Sequence, residues 1–431
     1  MLGDRFMRDL GVYIHYPWCR SRCPYCDFPI AVAPLDDIPH RPYLTAVLEE
    51  LALRRGEFAG RRLVSIYLGG GTPSLWPSDC LAEAVSAVRG AFEAPEPGSP
   101  VEAASVEAAS VEAAPVEAAS LEAAPVEAAP LEITIEANPV DCTAERMAGW
   151  RAAGIDRISI GVQSLAPGEL VALGRDHRMG DGPAAVDAAL AAGFHRMSAD
   201  LILGAPRRPG MARPGDEPLA GAAALSARRV PHLSVYELTV AEGTPLARQV
   251  ARGEVEPEDE DRLADLYLAA HELLGAAGYE HYEVSSYARP GARAVHNSLY
   301  WRAEEFLGLG SGASSFRREP DGGGVRWTNH RSVGRYLAAP AGEREGSADR
   351  LGPEALAADR VWLGLRTRDG IAADWLAGNP HLVDWLGASG LAEIGPDRIQ
   401  PTLRGFLYSD QVARRVLDEF RYSSVTLPPS R

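Results

Sequence analysis

The stretch VYIHYPWCRSRCPYCDF, residues 12–28, joins an apolar run directly to a loop with three cysteines. Cys19, Cys23 and Cys26 are spaced C-x3-C-x2-C, and Asp27 and Phe28 follow at once. The run VYIHY reads as a strand. Five more such runs recur: LVSIYLGGG from Leu63, EITIEANP from Glu132, RISIGVQS from Arg157, RMSADLILG from Arg196 and HLSVYELTV from His232. Between them lie alanine- and leucine-rich stretches, at 42–54, 78–89, 144–153 and 184–192, that read as helices. Strand–helix units in tandem predict parallel strands with right-handed crossovers. The expected fold class is therefore α/β, an open partial barrel of six βα units.

In barrels of this kind function gathers at the C-terminal ends of the strands. The first strand is followed by the cysteine loop and the second by GGGTP, residues 69–73. The third ends in Glu136-Ala137-Asn138-Pro139, the fourth carries Gln163, and the fifth carries Asp200 before Gly204-Ala205-Pro206. Glycines, carboxylates and thiols concentrated at one end of unrelated strands point to a single site.

Five cysteines in 431 residues, three of them in one short loop, favour metal or redox chemistry over disulfides. Cys80 and Cys142 stand alone and read as small buried hydrophobes. A structural zinc site needs four ligands. His15, His40 and Asp27 are the nearby candidates for a fourth, and none makes a recognised zinc spacing. A four-thiolate iron–sulfur cluster also needs a fourth cysteine. The reading that remains is a [4Fe–4S] cluster with one iron left open, able to take a small molecule through an amine and a carboxylate. In GGGTP the glycines allow close backbone approach, and no P-loop lysine follows.

The spacing, with Tyr25 before the last cysteine, resembles the radical S-adenosylmethionine (SAM) superfamily. The resemblance implies that the open iron chelates the methionyl amine and carboxylate of SAM, and that one electron from the cluster cleaves the sulfonium to give a 5′-deoxyadenosyl radical. It implies further that Gly70, Gly71 and Thr72 lie at the methionyl ammonium and Arg175 at the methionyl carboxylate. Glu136, Gln163 and Asp200 would be polar contacts to SAM, with Asp200 on the ribose, and Tyr13 a further contact.

Within the superfamily the chain resembles the HemN/HemW group over nearly its whole length, through IHYPWC, GGGTPS, IEANP, RISIGVQS, HNSLYW, GLGSGA and TLRGF. The oxygen-independent coproporphyrinogen III dehydrogenases of that group carry a cysteine two residues after the third cluster cysteine, where Phe28 stands here. They also have a longer arm before the cluster, whereas 18 residues precede Cys19 here. HNSLYW, residues 296–301, matches the HNxxYW motif of HemW-type heme chaperones. His296 would then be an axial ligand to heme iron, with Tyr300 and Trp301 as flat apolar surface. The function this implies is a chaperone that holds heme, a [4Fe–4S] cluster and SAM and delivers heme to apo-hemoproteins of respiration, served by an electron donor such as flavodoxin or ferredoxin. The alternative is porphyrinogen oxidation in porphyrin biosynthesis.

The expected domains are a barrel over residues 1–245, a connecting region over 246–350 carrying HNSLYW, and a smaller C-terminal α+β, winged-helix-like domain over 351–431. The barrel is interrupted at 99–132 by VEAA(S/P) pentapeptides. A five-residue repeat builds neither a helix face nor a strand face, and Pro115, Pro125 and Pro130 break helix, so a solvated insertion is expected. The formal charge of −16 argues against nucleic acid as a partner. No apolar run is long enough to span a bilayer, and residues 1–10 show no signal-peptide core, so a cytoplasmic protein is expected. On this reading alone, deletion of the insertion by joining Ser99 to Ile133 should leave the melting temperature unchanged.

Overall fold

The computed structural model describes residues 8–92, 131–210 and 217–421. The first strand, β1 (Asp9–Tyr16), is followed by two short strands, β2 (Trp18–Cys19) and β3 (Ala31–Val32), which pair with each other across the cysteine loop. Next come β4 (Arg62–Gly70), β5 (Glu132–Ala137), β6 (Arg157–Gln163), β7 (Arg196–Leu203) and β8 (His232–Glu237). Strands β1, β4, β5, β6, β7 and β8 lie side by side in that order, all parallel. Helices such as His40–Arg54, Ser78–Ala91, Ala144–Ala152 and Asp181–Ala191 make the crossovers, as the alternation of elements required.

The six parallel strands have two unlike faces. Alternate residues such as Val12, Ile14, Ile66, Ile135, Ile158 and Leu233 are wholly buried in the main core, together with Leu44, Leu81, Met147 and Val186 of the helices. Each such side chain contributes about 1.5–3 kcal/mol by leaving water. The intervening residues are polar: Tyr13, Tyr67, Glu136, Ser159, Asp200 and Tyr236. Strands covered on both faces ordinarily read as unbroken hydrophobic runs, so a polar face inside the sheet is the mark of a lined interior.

The sheet extends beyond the six expected strands. On one edge β10 (Ser286–Ala288) and β9 (Glu280–Glu283) continue from β8 as antiparallel strands. On the other, β11 (Glu305–Leu309) lies parallel to β1, followed by antiparallel β12 (Ser314–Arg318), β13 (Gly324–Asn329) and β14 (Glu345–Leu351). The segment read as a connecting region thus covers both edges of the barrel sheet, removing two rows of unpaired backbone groups. These strands escape sequence reading because β14 is exposed along most of its length and has no apolar face.

A second core, drawn from residues 357–420, gathers Val361, Leu376, Leu382, Ile399 and Val416. It packs around a three-stranded antiparallel sheet of β15 (Ile371–Ala372), β17 (Arg398–Pro401) and β16 (Ala392–Ile394). The helices Pro353–Gly364, Pro380–Ala388 and Ser409–Glu419 complete an α+β unit. Backbone bonds tie it to the main sheet, Val284 N–H to Arg366 C=O at 3.1 Å and Arg368 N–H to Tyr282 C=O at 2.9 Å.

Residues 93–130, and with them all but the last two residues of the pentapeptide insertion at 99–132, lie outside the described residues. Its last residue corrects the expected boundary. Glu132 opens β5 and is fully buried. It pairs with Arg196 at 2.7 Å and stands 3.8 Å from Arg157. It also accepts the backbone N–H groups of Val295 and His296, at 3.2 and 3.0 Å, at the start of the helix Val295–Trp301. One carboxylate therefore ties two strands to the helix under the sheet. Removal of one partner from a buried ion pair costs about 3–5 kcal/mol. Glu132→Ala is expected to lower the denaturant midpoint by a corresponding amount, and a deletion reaching Ile133 should do the same because it removes Glu132. An unchanged midpoint in Glu132→Ala would show that the carboxylate is dispensable.

Candidate functional site

The C-terminal strand ends surround a cavity of about 470 Å3. Of the thirteen residues singled out in the sequence, eleven line it: Cys19, Cys23, Cys26 and Tyr25 from the loop after β1, Gly70, Gly71 and Thr72 after β4, and Glu136, Gln163, Arg175 and Asp200. Tyr13 and His296 do not.

The cysteine loop is closed at its neck by the β2–β3 pairing and by Ala31 N–H to Pro17 C=O at 2.8 Å. Its flank is clasped by Asp141, which is 1 % exposed and lies just after β5. Both oxygens of Asp141 accept from Arg20, at 2.5 and 3.1 Å. Ser74 donates to the same carboxylate at 2.7 Å, and Arg146 stands 3.6 Å away. On the far side, Leu246 N–H bonds to Pro24 C=O at 2.7 Å.

The three thiols are not in disulfides. Cys19 Sγ accepts from Thr72 Oγ1 at 3.3 Å, and the Arg175 guanidinium lies 3.6 Å from Cys23 Sγ. Burial pushes the Cys19 thiol up to about 11 and raises Cys26 as well. Left to themselves these groups stay protonated, whereas a bound cationic centre would hold them as thiolates. Among the described residues no three His, Cys, Asp or Glu side chains converge on a single-ion site.

The glycines after β4 are demanded by packing. Gly70 has φ +112°, and a Cβ there would lie 2.5 Å from the His15 ring. A Cβ on Gly71 would strike the Pro17–Trp18 backbone at 2.8 Å. Their tightest approaches are thus to the neighbouring strand and its loop. Gln163 has φ +63°, a conformation costly for a non-glycine residue and often kept at ligand sites.

Two carboxylates face the cavity. Glu136 accepts from Tyr67 Oη at 2.8 Å and Gly70 N–H at 3.0 Å. Burial raises it to about 7, against these two donors, and nearby Asp200 adds to the rise. Asp200 accepts from Ser159 Oγ at 3.0 Å and is itself raised by burial. Arg175 donates to Asn138 Oδ1 at 2.5 Å and Gly161 C=O at 3.3 Å, and its Nε has no partner. Among the described residues no carboxylate forms an ion pair with it. A buried-side guanidinium of this kind suits an anionic ligand group. A cationic group and two carboxylates thus line one cavity, a pairing of charges that suits a zwitterionic ligand.

Two of the expected site residues lie off the cavity lining. Tyr13 lies behind Gly69: its hydroxyl bonds to His15 Nδ1 at 2.9 Å, and its ring stacks on Tyr67 with centroids 6.1 Å apart. His296, expected to face a macrocycle, is 1 % exposed and lies within the sheet's interior. Its Nδ1 bonds to Ser65 Oγ at 2.8 Å and its Nε2 to Tyr300 Oη at 2.7 Å, so neither nitrogen is available to iron in this conformation. The motif lies on a short helix packed under the barrel, away from the mouth. Conversely, Ser159 and Tyr236 line the cavity without having been singled out. Their signal was the two-residue alternation of polar side chains along the strands.

The Radical SAM superfamily pattern matches residues 13–209. The chain is 34 % identical to heme chaperone HemW of Mycobacterium tuberculosis over 95 % of both chains. It is 35 % identical to heme chaperone HemW of Escherichia coli over 76 % of this chain and 77 % of that one. The chain belongs to the HemW family of the radical SAM superfamily. A mitochondrial radical S-adenosyl methionine domain-containing protein 1 from Mus musculus is also 32 % identical over 88 % of this chain and 78 % of its own length. Coproporphyrinogen III oxidase (HemN) from Escherichia coli, a radical SAM enzyme, superposes with a TM-score of 0.72 at 20 % identity, covering 95 % of this chain and 90 % of its own. That likeness establishes a shared fold. No helix among the described residues of this HemW-family chain is long and apolar enough to cross a membrane.

Asp141→Ala should leave Arg20 and Ser74 without their acceptor. Because Arg20 is partly exposed, the expected loss of stability is about 2 kcal/mol. Tryptic cleavage after Arg20 and Arg22 in the metal-free chain should accelerate, and an unchanged cleavage rate would show that the clasp does not hold the loop.

Proposed function

We propose that this chain carries heme as cargo for delivery to apo-proteins, and that it holds a [4Fe–4S] cluster on Cys19, Cys23 and Cys26 with SAM in the adjoining cavity. The observation that carries the reading is 34 % identity to a heme chaperone HemW across 95 % of both chains. The cavity supports the cofactor part. Three thiols border it, the Arg175 guanidinium lines it without a carboxylate partner among the described residues, and Glu136 and Asp200 offer acceptors for an ammonium and a ribose. About 470 Å3 suits one ligand of this size. When bound, the cluster and SAM supply radical chemistry that needs one electron from a reduced flavodoxin- or ferredoxin-class partner. The protein's own part is to position, desolvate and neutralise charge.

For the cargo, the apolar side chains on the loops leaving the strand ends are relevant. Phe28, Val32, Leu35, Val171 and Met179 are all substantially exposed. Of these, Phe28 also lines the cavity and would offer a flat apolar contact beside it. Phe28 also stands where the porphyrinogen dehydrogenases carry a further cysteine, which favours carriage over oxidation.

Anaerobic reconstitution of Cys23→Ala should lose the ~400 nm absorption of an iron–sulfur cluster, whereas Cys80→Ala should keep it. Cluster loss in the Cys80 variant would contradict the ligand assignment. Loaded with heme, the wild type should transfer it to an apo-hemoprotein and should form no protoporphyrinogen from coproporphyrinogen III with SAM and a reductant. Steady protoporphyrinogen formation without heme transfer would favour the dehydrogenase.

A further inference from the structure

The HNSLYW segment has a place in the structure that neither heme ligation nor the cavity contacts account for. The helix Val295–Trp301 packs against β1 and β4 from below, with its first turn held by Glu132. His296 projects from it into the polar interior. A Cβ on Gly11 would meet the His296 ring at 3.2 Å, so the strand gives way to admit it. Above the imidazole lies Tyr67, nearly parallel, with centroids 5.0 Å apart at 27°. Tyr13 flanks both rings. Tyr300 stands edge-on to the imidazole and is itself wedged by Phe306. The Tyr67 hydroxyl, at the top of the stack, donates to Glu136 at the cavity. An unbroken series of contacts thus runs from the helix under the barrel to a carboxylate in the cofactor site.

We propose that His296 is a positioning residue for the cavity carboxylate Glu136: its ring supports Tyr67, and Tyr67 fixes Glu136. The inference rests on the reading of the cavity as the SAM site. The imidazole is suited to the task. Burial and the Arg157 charge lower it to about 3, so it stays neutral, with its two nitrogens matched to one hydroxyl each. A neutral ring does not add charge beneath the carboxylate. If Tyr67 tips, Glu136 loses one of its two donors and keeps only Gly70 N–H. That loss disfavours the ionised carboxylate, the form that attracts the cationic end of SAM.

The consequence can be read in the pH dependence of binding. Affinity for SAM should rise with pH as Glu136 ionises near its value of about 7. Removal of a donor to the charged form raises that value further, so the midpoint moves to higher pH. The other groups facing Glu136 are Asp200, raised by burial and opposed by Arg157 and Arg175, and the phenols of Tyr13, Tyr67, Tyr236 and Tyr300, all held above their usual range by burial.

The test measures SAM binding to the full, cluster-loaded chain across neutral pH, for the wild type, His296→Leu, His296→Phe, Tyr67→Phe and the Leu/Phe double variant at 296 and 67. His296→Leu fills the volume without a flat ring, and one lost bond to a charged group corresponds to about a tenfold loss of affinity. It should bind about tenfold more weakly with its midpoint moved up. His296→Phe keeps the ring under Tyr67 and should stay near wild type in affinity, midpoint and heme Soret band. The double variant should be no worse than Tyr67→Phe alone, because both act on one contact. Wild-type affinity and midpoint in His296→Leu, additive losses in the double variant, or weakened SAM binding or an altered Soret band in His296→Phe would each overturn the proposal. If His296→Leu does not fold, His296→Phe still decides. A wild type that binds no SAM would overturn the reading of the cavity itself.

Discussion

A parallel sheet with one polar face must satisfy every group on that face without water. In this chain the constraint organises the interior of the barrel. Tyr13 bonds to His15, Tyr67 to Glu136, Ser159 to Asp200, and Ser65 and Tyr300 to His296. Buried polar networks of this kind hold their members in one arrangement only when each is partnered. The helix Val295–Trp301 completes the set from below, and Glu132 in turn holds the helix. At the upper end Arg175 and two carboxylates raised by burial, Glu136 and Asp200, line the cavity. That concentration of charge beside a cavity is what makes the upper end a site for a charged ligand.

The thiol loop depends on the same frame. Its three cysteines lie within eight residues, yet their placement comes from distant parts of the chain: Asp141 through Arg20, Thr72 at Cys19, and Arg175 at Cys23. Gly71 lets the β4 turn lie against the loop's neck. The loop and the sheet interior therefore form one site, in agreement with the superfamily to which the chain belongs.

Much of this was legible in the sequence, because the strongest signals are local. The cysteine spacing, the six β-branched runs and the glycine turn after β4 each sit within a few residues, and their meeting at the strand ends follows from βα topology. What the sequence did not disclose also has a common cause, contacts between residues far apart in the chain. Glu132 fits the pentapeptide rhythm of VEAAPLE, so composition assigned it to a solvated insertion, whereas its partners Arg196 and His296 are 64 and 164 residues away. His296 carries a motif that suggests metal ligation, and only the three-dimensional position shows both nitrogens engaged. The outermost strand, β14, is exposed along most of its length and is specified by the edge it covers.

The central claim is that three thiols and the polar upper face form one site in which a small zwitterion completes the cluster. Mössbauer spectroscopy of 57Fe-reconstituted protein, before and after addition of SAM, tests it most directly. The account predicts that SAM changes the spectrum of one iron in the cluster and leaves the thiolate-bound irons as they were, and that Arg175→Ala weakens this response without loss of iron. Four irons that respond alike, or no response to SAM at all, would contradict it.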